Sequence, residues 1–218
     1  MIAMSSALEN LLSEYPILED GLAAGIINLS ALARQLRPRL QAVLKKEVSE
    51  GAVMMALKRL QPHIIEQFAE VRHILKNLVD ITVRSNLSEF TYAVSEATLE
   101  KQKELLDRLG QKREAFVTFT QGVAETMVIV SSRFEHIVEE IFRHEKRLAK
   151  LSSLSAIIIK LPAKSVHTPG VFYAILKQML WARINVVEMV STYSEFTLVF
   201  EKDQVDRAFS QLKNFLWR

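Results

Sequence analysis

Two hydrophobic periods divide the chain. From Ser5 to about Leu78, apolar residues recur at three- and four-residue steps with no alternating run, which predicts helices throughout. INLSALARQL reads as one helix with Asn28 or Ser30 placed to cap it, and VSEGAVMMALKRL as a second with Ser49 as N-cap. RLQPHIIEQFAEVRHILKNL reads as a longer helix starting near Pro62, because proline is tolerated in a first turn. After Leu78 the pattern changes. VDITVRS and EFTYAVS alternate and predict strands, TLEKQKELLDRL a helix, AFVTFTQG and ETMVIVS a hairpin, and RFEHIVEEIFRHEKRL a helix again. The order then restarts: LSAIIIKLP predicts a strand, TPGVFYAILKQMLWAR a helix, INVVEMVST and EFTLVFE a hairpin, and DQVDRAFSQLKNFLW a closing helix.

Strand-helix-strand-strand-helix thus occurs twice, from about Glu89 to Lys150 and from Leu154 to Trp217. Aligning Ala124-Glu125 with Ser194-Glu195 preserves the hairpin and its following helix without a gap. Ser88-Glu89-Phe90-Thr91 also recurs as Ser194-Glu195-Phe196-Thr197, and each copy leads into an apolar strand, which reads as a further trace of duplication. The strand Asp80 to Ser85 is left over, and is expected to complete the sheet of the second copy. No low-complexity linker separates the copies, so they are expected to pack side by side. In the last hairpin, Phe196, Leu198 and Phe200 alternate only weakly with Thr197 and Val199, which predicts that both sheet faces are covered, one by helices and one by a partner.

Thr168-Pro169-Gly170-Val171-Phe172, Ile184-Asn185-Val186 and Ser194-Glu195-Phe196 in the second copy, with Thr120-Gln121-Gly122 and Glu125 in the first, carry a family likeness. The chain resembles the ACT domain, the amino-acid-sensing ferredoxin-like module, and most nearly the tandem ACT regulatory region of aspartokinases. The resemblance implies an α+β fold of tandem ferredoxin-like (ACT-like) βαββα modules behind an all-helical N-terminal region. It implies a helical region over 1–78, a first module over 79–150 and a second over 151–218. It also implies a small amino acid held by Thr168, Pro169, Gly170, Val171 and Phe172, with Asn185 and Val186 bordering the pocket, and assembly as a homodimer. The local chemistry fits: Thr168 is placed to cap the helix, Pro169 suits its first turn, and Gly170 lets a ligand carboxylate approach the N–H groups of a helix start. In the first copy Ser95-Glu96-Ala97-Thr98 replaces the proline-glycine turn, and Glu96 would repel that carboxylate. The second copy is therefore the expected site.

Composition narrows the function. The 28 Lys and Arg residues nearly balance 25 Asp and Glu, a net charge of +3, which gives no global argument for nucleic-acid binding. The absence of cysteine excludes disulfides, a thiol nucleophile and thiolate metal sites, and fits a reducing cytoplasm. MIAMSSALENLLSEYP lacks the basic start of a signal peptide, and the apolar runs are too short to span a bilayer, so a soluble cytoplasmic protein without membrane contact is expected.

INLSALARQL and VSEGAVMMALKRL imitate a helix-turn-helix, and Arg34, Arg37, Arg39, Lys45, Lys46, Lys58 and Arg59 make that stretch basic. Against DNA binding, some ten residues separate the two predicted helices where three or four are usual, and the second presents Glu50, Gly51, Ala52 and methionines instead of base-reading side chains. His136, Glu140 and His144, and likewise His63, Glu66, Glu70 and His73, share helix faces but lack supporting ligands elsewhere, so no metal site is predicted. Neither a phosphate loop of the GxxxxGK[ST] type nor a nucleophile elbow occurs, no cofactor is implied, and the glycine-rich catalytic portion of an aspartokinase is absent. Three readings remain: a non-catalytic amino-acid-sensing regulatory protein signalling through its helices, an amino-acid-responsive DNA-binding regulator, and a regulatory subunit or structural dimer of an enzyme such as aspartokinase.

Overall fold

A computed structural model describes residues 3–78, 80–110, 112 and 115–217. The chain divides into two compact units, Met1–His73 and Ile74–Arg218. Helices α1 (Met4–Ser13), α2 (Pro16–Ala23), α3 (Leu29–Leu44) and α4 (Glu50–Lys76) form the first unit, with the last turn of α4 passing into the second. Leu8, Leu12, Leu32, Leu36, Leu40, Val53, Leu57 and Leu60 fall at helical spacing and bury in one core. The Asn28 carboxamide caps α3, accepting from the N–H groups of Ser30 and Ala31 at 3.1 Å each. Ser49 Oγ accepts from Ala52 N–H at the start of α4.

Two boundaries differ from the sequence expectation. Pro62 does not open a helix, since α4 runs through it for 27 residues, and α3 likewise runs through Pro38 to Leu44. Leu60 and Ile64 flank Pro62 on the buried stripe, and Leu40 is buried just after Pro38. Burial of these side chains outweighs the roughly 3 kcal/mol that an interior proline costs. Only residues 45–49 therefore connect the pair that imitates a helix-turn-helix, with Lys45 left-handed at φ 51°.

The second unit carries β1 (Asp80–Ala93), α5 (Thr98–Leu109), β2 (Val117–Gln121), β3 (Glu125–Ser131), α6 (Glu135–Ile141), β4 (Arg147–Lys160), α7 (Val171–Trp181), β5 (Glu188–Ser191), β6 (Glu195–Glu201) and α8 (Val205–Leu216). The strands form one antiparallel sheet in the order β2-β3-β1-β4-β6-β5. The fold is α+β, two βαββα modules sharing that sheet behind a helical region.

The two central strands each serve both modules. Residues 87–93 of β1 pair with β3 in the first module, while Asp80 to Arg84 pair with Lys160 to Ala156 of β4, so the left-over strand does complete the second module. In return Arg147 to Leu151 of β4 run beside the first module's half of β1. Both strands are irregular where they change modules: Asn86 and Ser153 are left-handed, at φ 57° and 59°, and are followed by Leu87 and Leu154, which pair. EFTYAVS is thus not a separate strand, and the helix predicted through Leu148 ends at Ile141 so that Arg147 can begin β4. The repeated Ser-Glu-Phe-Thr is not the module repeat, because one copy lies in β1 and the other leads into β6, strands that occupy different positions in their modules.

On one face, Phe90, Val128 and Val130 pack under Leu105 and Leu109 of α5 and Ile137, Val138 and Ile141 of α6. On the other face, Leu87, Met127 and Ile129 join Leu154, Ala156 and Val199 in a buried seam bordered by Phe116, Val187 and Val190. Glu188 of β5 acts electrostatically on Glu89 of β1. Phe196 to Phe200 are buried within the single chain, and Val199 joins Leu87, Met127 and Ile129 of the first module in the seam, where the sequence had suggested a partner.

Candidate functional site

The loop expected to hold a ligand joins β4 to α7 and crosses a short 3-10 turn, Ala163–His167. Thr168 does not cap α7. Its hydroxyl donates to the Lys164 carbonyl oxygen at 3.1 Å and closes the preceding turn instead. Gly170 takes the N-cap position at φ 90°, a conformation that disfavours side chains, and no side chain caps the helix. Pro169 and Gly170 are exposed, Val171 is buried, and the Phe172 ring lies 4.5 Å from that of Phe196 on β6. The result is an exposed helix start with an aromatic side wall.

Asn185 and Val186 lie elsewhere. The Ile184 N–H bonds the Met179 carbonyl at the end of α7, and the ladder with β6 begins only at Val187, so residues 184–186 precede the strand they were expected to form. Gly170 and Asn185 therefore flank opposite ends of an eleven-residue helix, roughly 16 Å long at about 1.5 Å per residue. One copy does not bring them into one pocket. Asn185 is exposed and Val186 half-buried.

The corresponding loop of the first module is closed by its own side chains. Ser95 N–H donates to Thr98 Oγ1 at 2.8 Å, and Ser95 Oγ donates to Glu145 at 2.7 Å, with Glu96 exposed between them. Near the bend of β1, Ser88 bonds both Ser132 and Glu135. Burial acts to raise the Glu135 carboxyl, but hydrogen bonds from Lys150 and Ser88 outweigh it and hold the group below its ordinary range.

One surface feature was not anticipated. Helix α7, VFYAILKQMLW, buries a single stripe of Val171, Ile175 and Met179. Phe172, Tyr173, Leu180 and Trp181 remain exposed, the last two at 70% and 61%, as do Met189 on edge strand β5 and Tyr193. Its counterpart α5 surrounds exposed Leu99 and Leu106 with Glu100, Lys101, Lys103, Glu104, Asp107 and Arg108. A helix with apolar residues well beyond one buried stripe, broken only by Lys177 and Gln178, is the sequence signal that would have found this edge.

The basic residues of the helical unit are all exposed, but two are engaged. Arg34 pairs with Glu50 at 3.2 Å, and Arg39 with Glu14 at 2.6 Å and the Tyr15 hydroxyl at 2.7 Å. Arg37, Lys45, Lys46, Lys58 and Arg59 spread over α3, the connection and α4. Met54 packs against the core and Met55 is exposed. The row His136, Glu140, His144 is broken, because α6 ends at Ile141, Glu140 pairs with Arg108 at 3.0 Å and Arg143 donates to His144 at 2.8 Å. Among the described residues no group of three or more His, Asp or Glu is placed to hold a metal, and no helix is long and apolar enough to cross a membrane.

No family model matches the chain, and no curated protein is similar to it in sequence. Solved structures are similar in fold. Aspartate kinase from Clostridium acetobutylicum has a TM-score of 0.52 and 12% identity over 64% of this chain, which spans 35% of that enzyme. The ligand-free regulatory subunit of aspartate kinase from Thermus thermophilus has a TM-score of 0.52 and 10% identity over 63% of this chain and 97% of its own. Aspartokinase III of E. coli, solved in complex with lysine and aspartate, has a TM-score of 0.50 and 11% identity over 65% of this chain and 33% of its own. The six-stranded sheet with its flanking helices has the fold of the ACT-containing regulatory domains of aspartate kinases.

Proposed function

We propose that this chain is a non-catalytic, cytoplasmic regulatory protein, with a helical region over 1–78 and modules over 79–150 and 151–218, that binds a small amino acid at its second module. The observation that carries the reading is the exposed, uncapped start of α7 behind left-handed Gly170, a backbone suited to an α-carboxylate. The contrast with the self-bonded Ser95–Thr98 loop favours the second module over the first. The complex of the E. coli neighbour with lysine and aspartate supports an amino acid as the ligand class.

The exposed apolar edge of α7 and β5 suits a second copy of the chain. Because Asn185 stands at the far end of α7 from Gly170, an antiparallel pairing of two α7 helices would set the partner's Asn185 and Val186 beside the Thr168–Phe172 loop. The pocket is then completed by dimerisation, and ligand affinity is linked to assembly. The helical unit is the output, toward a protein partner such as an enzyme subunit; the alternative is DNA, met by Arg37, Lys45, Lys46, Lys58 and Arg59.

Thermal melting of the full chain against the common amino acids tests the reading. A ligand at a hundred times its dissociation constant adds about 2.7 kcal/mol, which moves the midpoint by roughly 5–10 °C. The expected result is a shift with at least one amino acid, lost on dilution of the dimer. A panel without any shift sinks the sensor reading, and salt-dependent duplex binding weakened in Lys58→Glu would move the output to DNA.

A further inference from the structure

The seam between the modules holds one carboxylate that nothing in the proposed ligand site uses. Glu89 sits on the seam face of β1, opposite Ile129 of β3 and Leu151 of β4, and is only 4% exposed. Its Oε2 is buried without a hydrogen-bond partner, while its other carboxylate oxygen accepts from the Thr91 hydroxyl at a long 3.5 Å. From β5 the charge of Glu188 acts on it, and Val187 and Val190 of the same strand segment pack against the seam. Among the described residues, the other elements of the seam bring no counter-charge: β3 presents Met127 and Ile129, β4 Leu151, Leu154 and Ala156, and β6 Val199.

We propose that Glu89 and Glu188 form a proton-operated latch between the two modules, closed when Glu89 is protonated and loosened when it ionises. Neutral, the Glu89 carboxyl is an uncharged polar group in an apolar seam and faces a single carboxylate. Ionised, it is a buried anion with one weak donor, pressed toward a second anion, and the relief available is to separate β5 from β1 and admit water. Burial first, and the charge of Glu188 second, push the Glu89 carboxyl up to about 7, so the change falls in the physiological range. Edge strand β5, only four residues long and hydrogen-bonded to β6 alone, is the element free to move. The latch does not rest on the amino-acid reading. It would nonetheless couple proton concentration to the α7–β5 edge.

Hydrogen exchange of the full-length protein, followed by mass spectrometry, tests the latch. At pH 8, peptides covering 125–131 and 187–191 should exchange about tenfold faster in the wild type than in Glu89→Gln, tenfold being what one pKa unit of differential interaction amounts to. At pH 4 the two should exchange alike, because the wild-type carboxyl is then neutral in the closed and the opened seam alike. Glu188→Gln, at a half-buried edge position, gives a second reading that does not depend on the fate of the buried variant: slower exchange than wild type at pH 8 and no difference at pH 4. Equal exchange of wild type and Glu188→Gln at pH 8 overturns the latch. So does a Glu89→Gln protein that exchanges as fast as wild type at pH 8.

Discussion

Ile129→Ala tests whether the two modules stand or fall together. Ile129 is fully buried on β3 of the first module, within the seam shared with Leu154, Ala156 and Val199 of β4 and β6. Its loss removes three buried carbons and leaves a cavity walled by both modules, a change that costs about 2–5 kcal/mol. We take about 3 kcal/mol, since exposed Met189 and half-buried Val187 and Val190 leave the β5 side of the seam room to relax. With a urea m-value of about 2 kcal/mol per molar, the unfolding midpoint should fall by roughly 1.5 M. Both tryptophans, Trp181 and Trp217, belong to the second module, so their fluorescence reports the partner of the mutated strand. If the seam couples the modules, the fluorescence transition moves down together with the far-ultraviolet circular dichroism of the sheet. Val123→Ala, at the fully exposed tip of the β2–β3 hairpin, is the control and should stay within about 0.5 kcal/mol of wild type. A fluorescence midpoint unmoved by Ile129→Ala would refute the shared seam and leave two independent modules on one sheet.

Other outcomes follow from single sites. Glu89→Gln should stabilise the protein at neutral pH: the folded carboxyl titrates near 7 against an ordinary 4.5, so wild-type stability drains away as pH rises from about 4.5 to 7 and is flat above. The variant's advantage, read from urea midpoints across that range, should be absent near pH 4 and reach at most about 3 kcal/mol at pH 7.5. Gly170→Ala should cost about 1–2 kcal/mol in chemical denaturation, because alanine is strained at φ 90°. Asn28→Ala should lower the stability of the helical unit by about 1 kcal/mol through loss of its two capping bonds, visible as an earlier helical melt. Trp181→Asp, on the exposed apolar edge, should leave the melt within about 0.5 kcal/mol and convert a dimer to a monomer in sedimentation; an unchanged sedimentation coefficient would place the dimer contact elsewhere.

Much of the sheet unit was legible because its signals are local. The change from helical to alternating period marked its start, and the aligned hairpins Val117 to Ser131 and Glu188 to Glu201 exposed the duplication. Asp80 to Ser85 stood out as a strand too many, and the second module lacked one. What was not legible depends on contacts distant in sequence. Pro38 and Pro62 look like helix boundaries until the buried leucines beside them are seen to hold the helix together. The strand character of Arg147 to Lys150 comes from pairing with β1, while its sequence, rich in Arg and Lys, reads as the end of a helix. The weak alternation of Phe196 to Phe200 suggested a partner because a strand covered on both faces by its own chain leaves the same pattern. At the ligand loop, the family resemblance grouped Thr168, Gly170 and Asn185, and the length of α7 set them apart. Glu89 was hidden by its place in a tetrapeptide that repeats without structural equivalence.

Calorimetric titration of the full chain with the common amino acids, beside Gly170→Ala, tests the central claim most directly. The account predicts saturable heat for at least one amino acid in the wild type, with one site per chain, and none in the folded Gly170→Ala variant, whose added methyl group obstructs the helix start. Absence of binding by every amino acid, or binding that Gly170→Ala leaves intact, would contradict it.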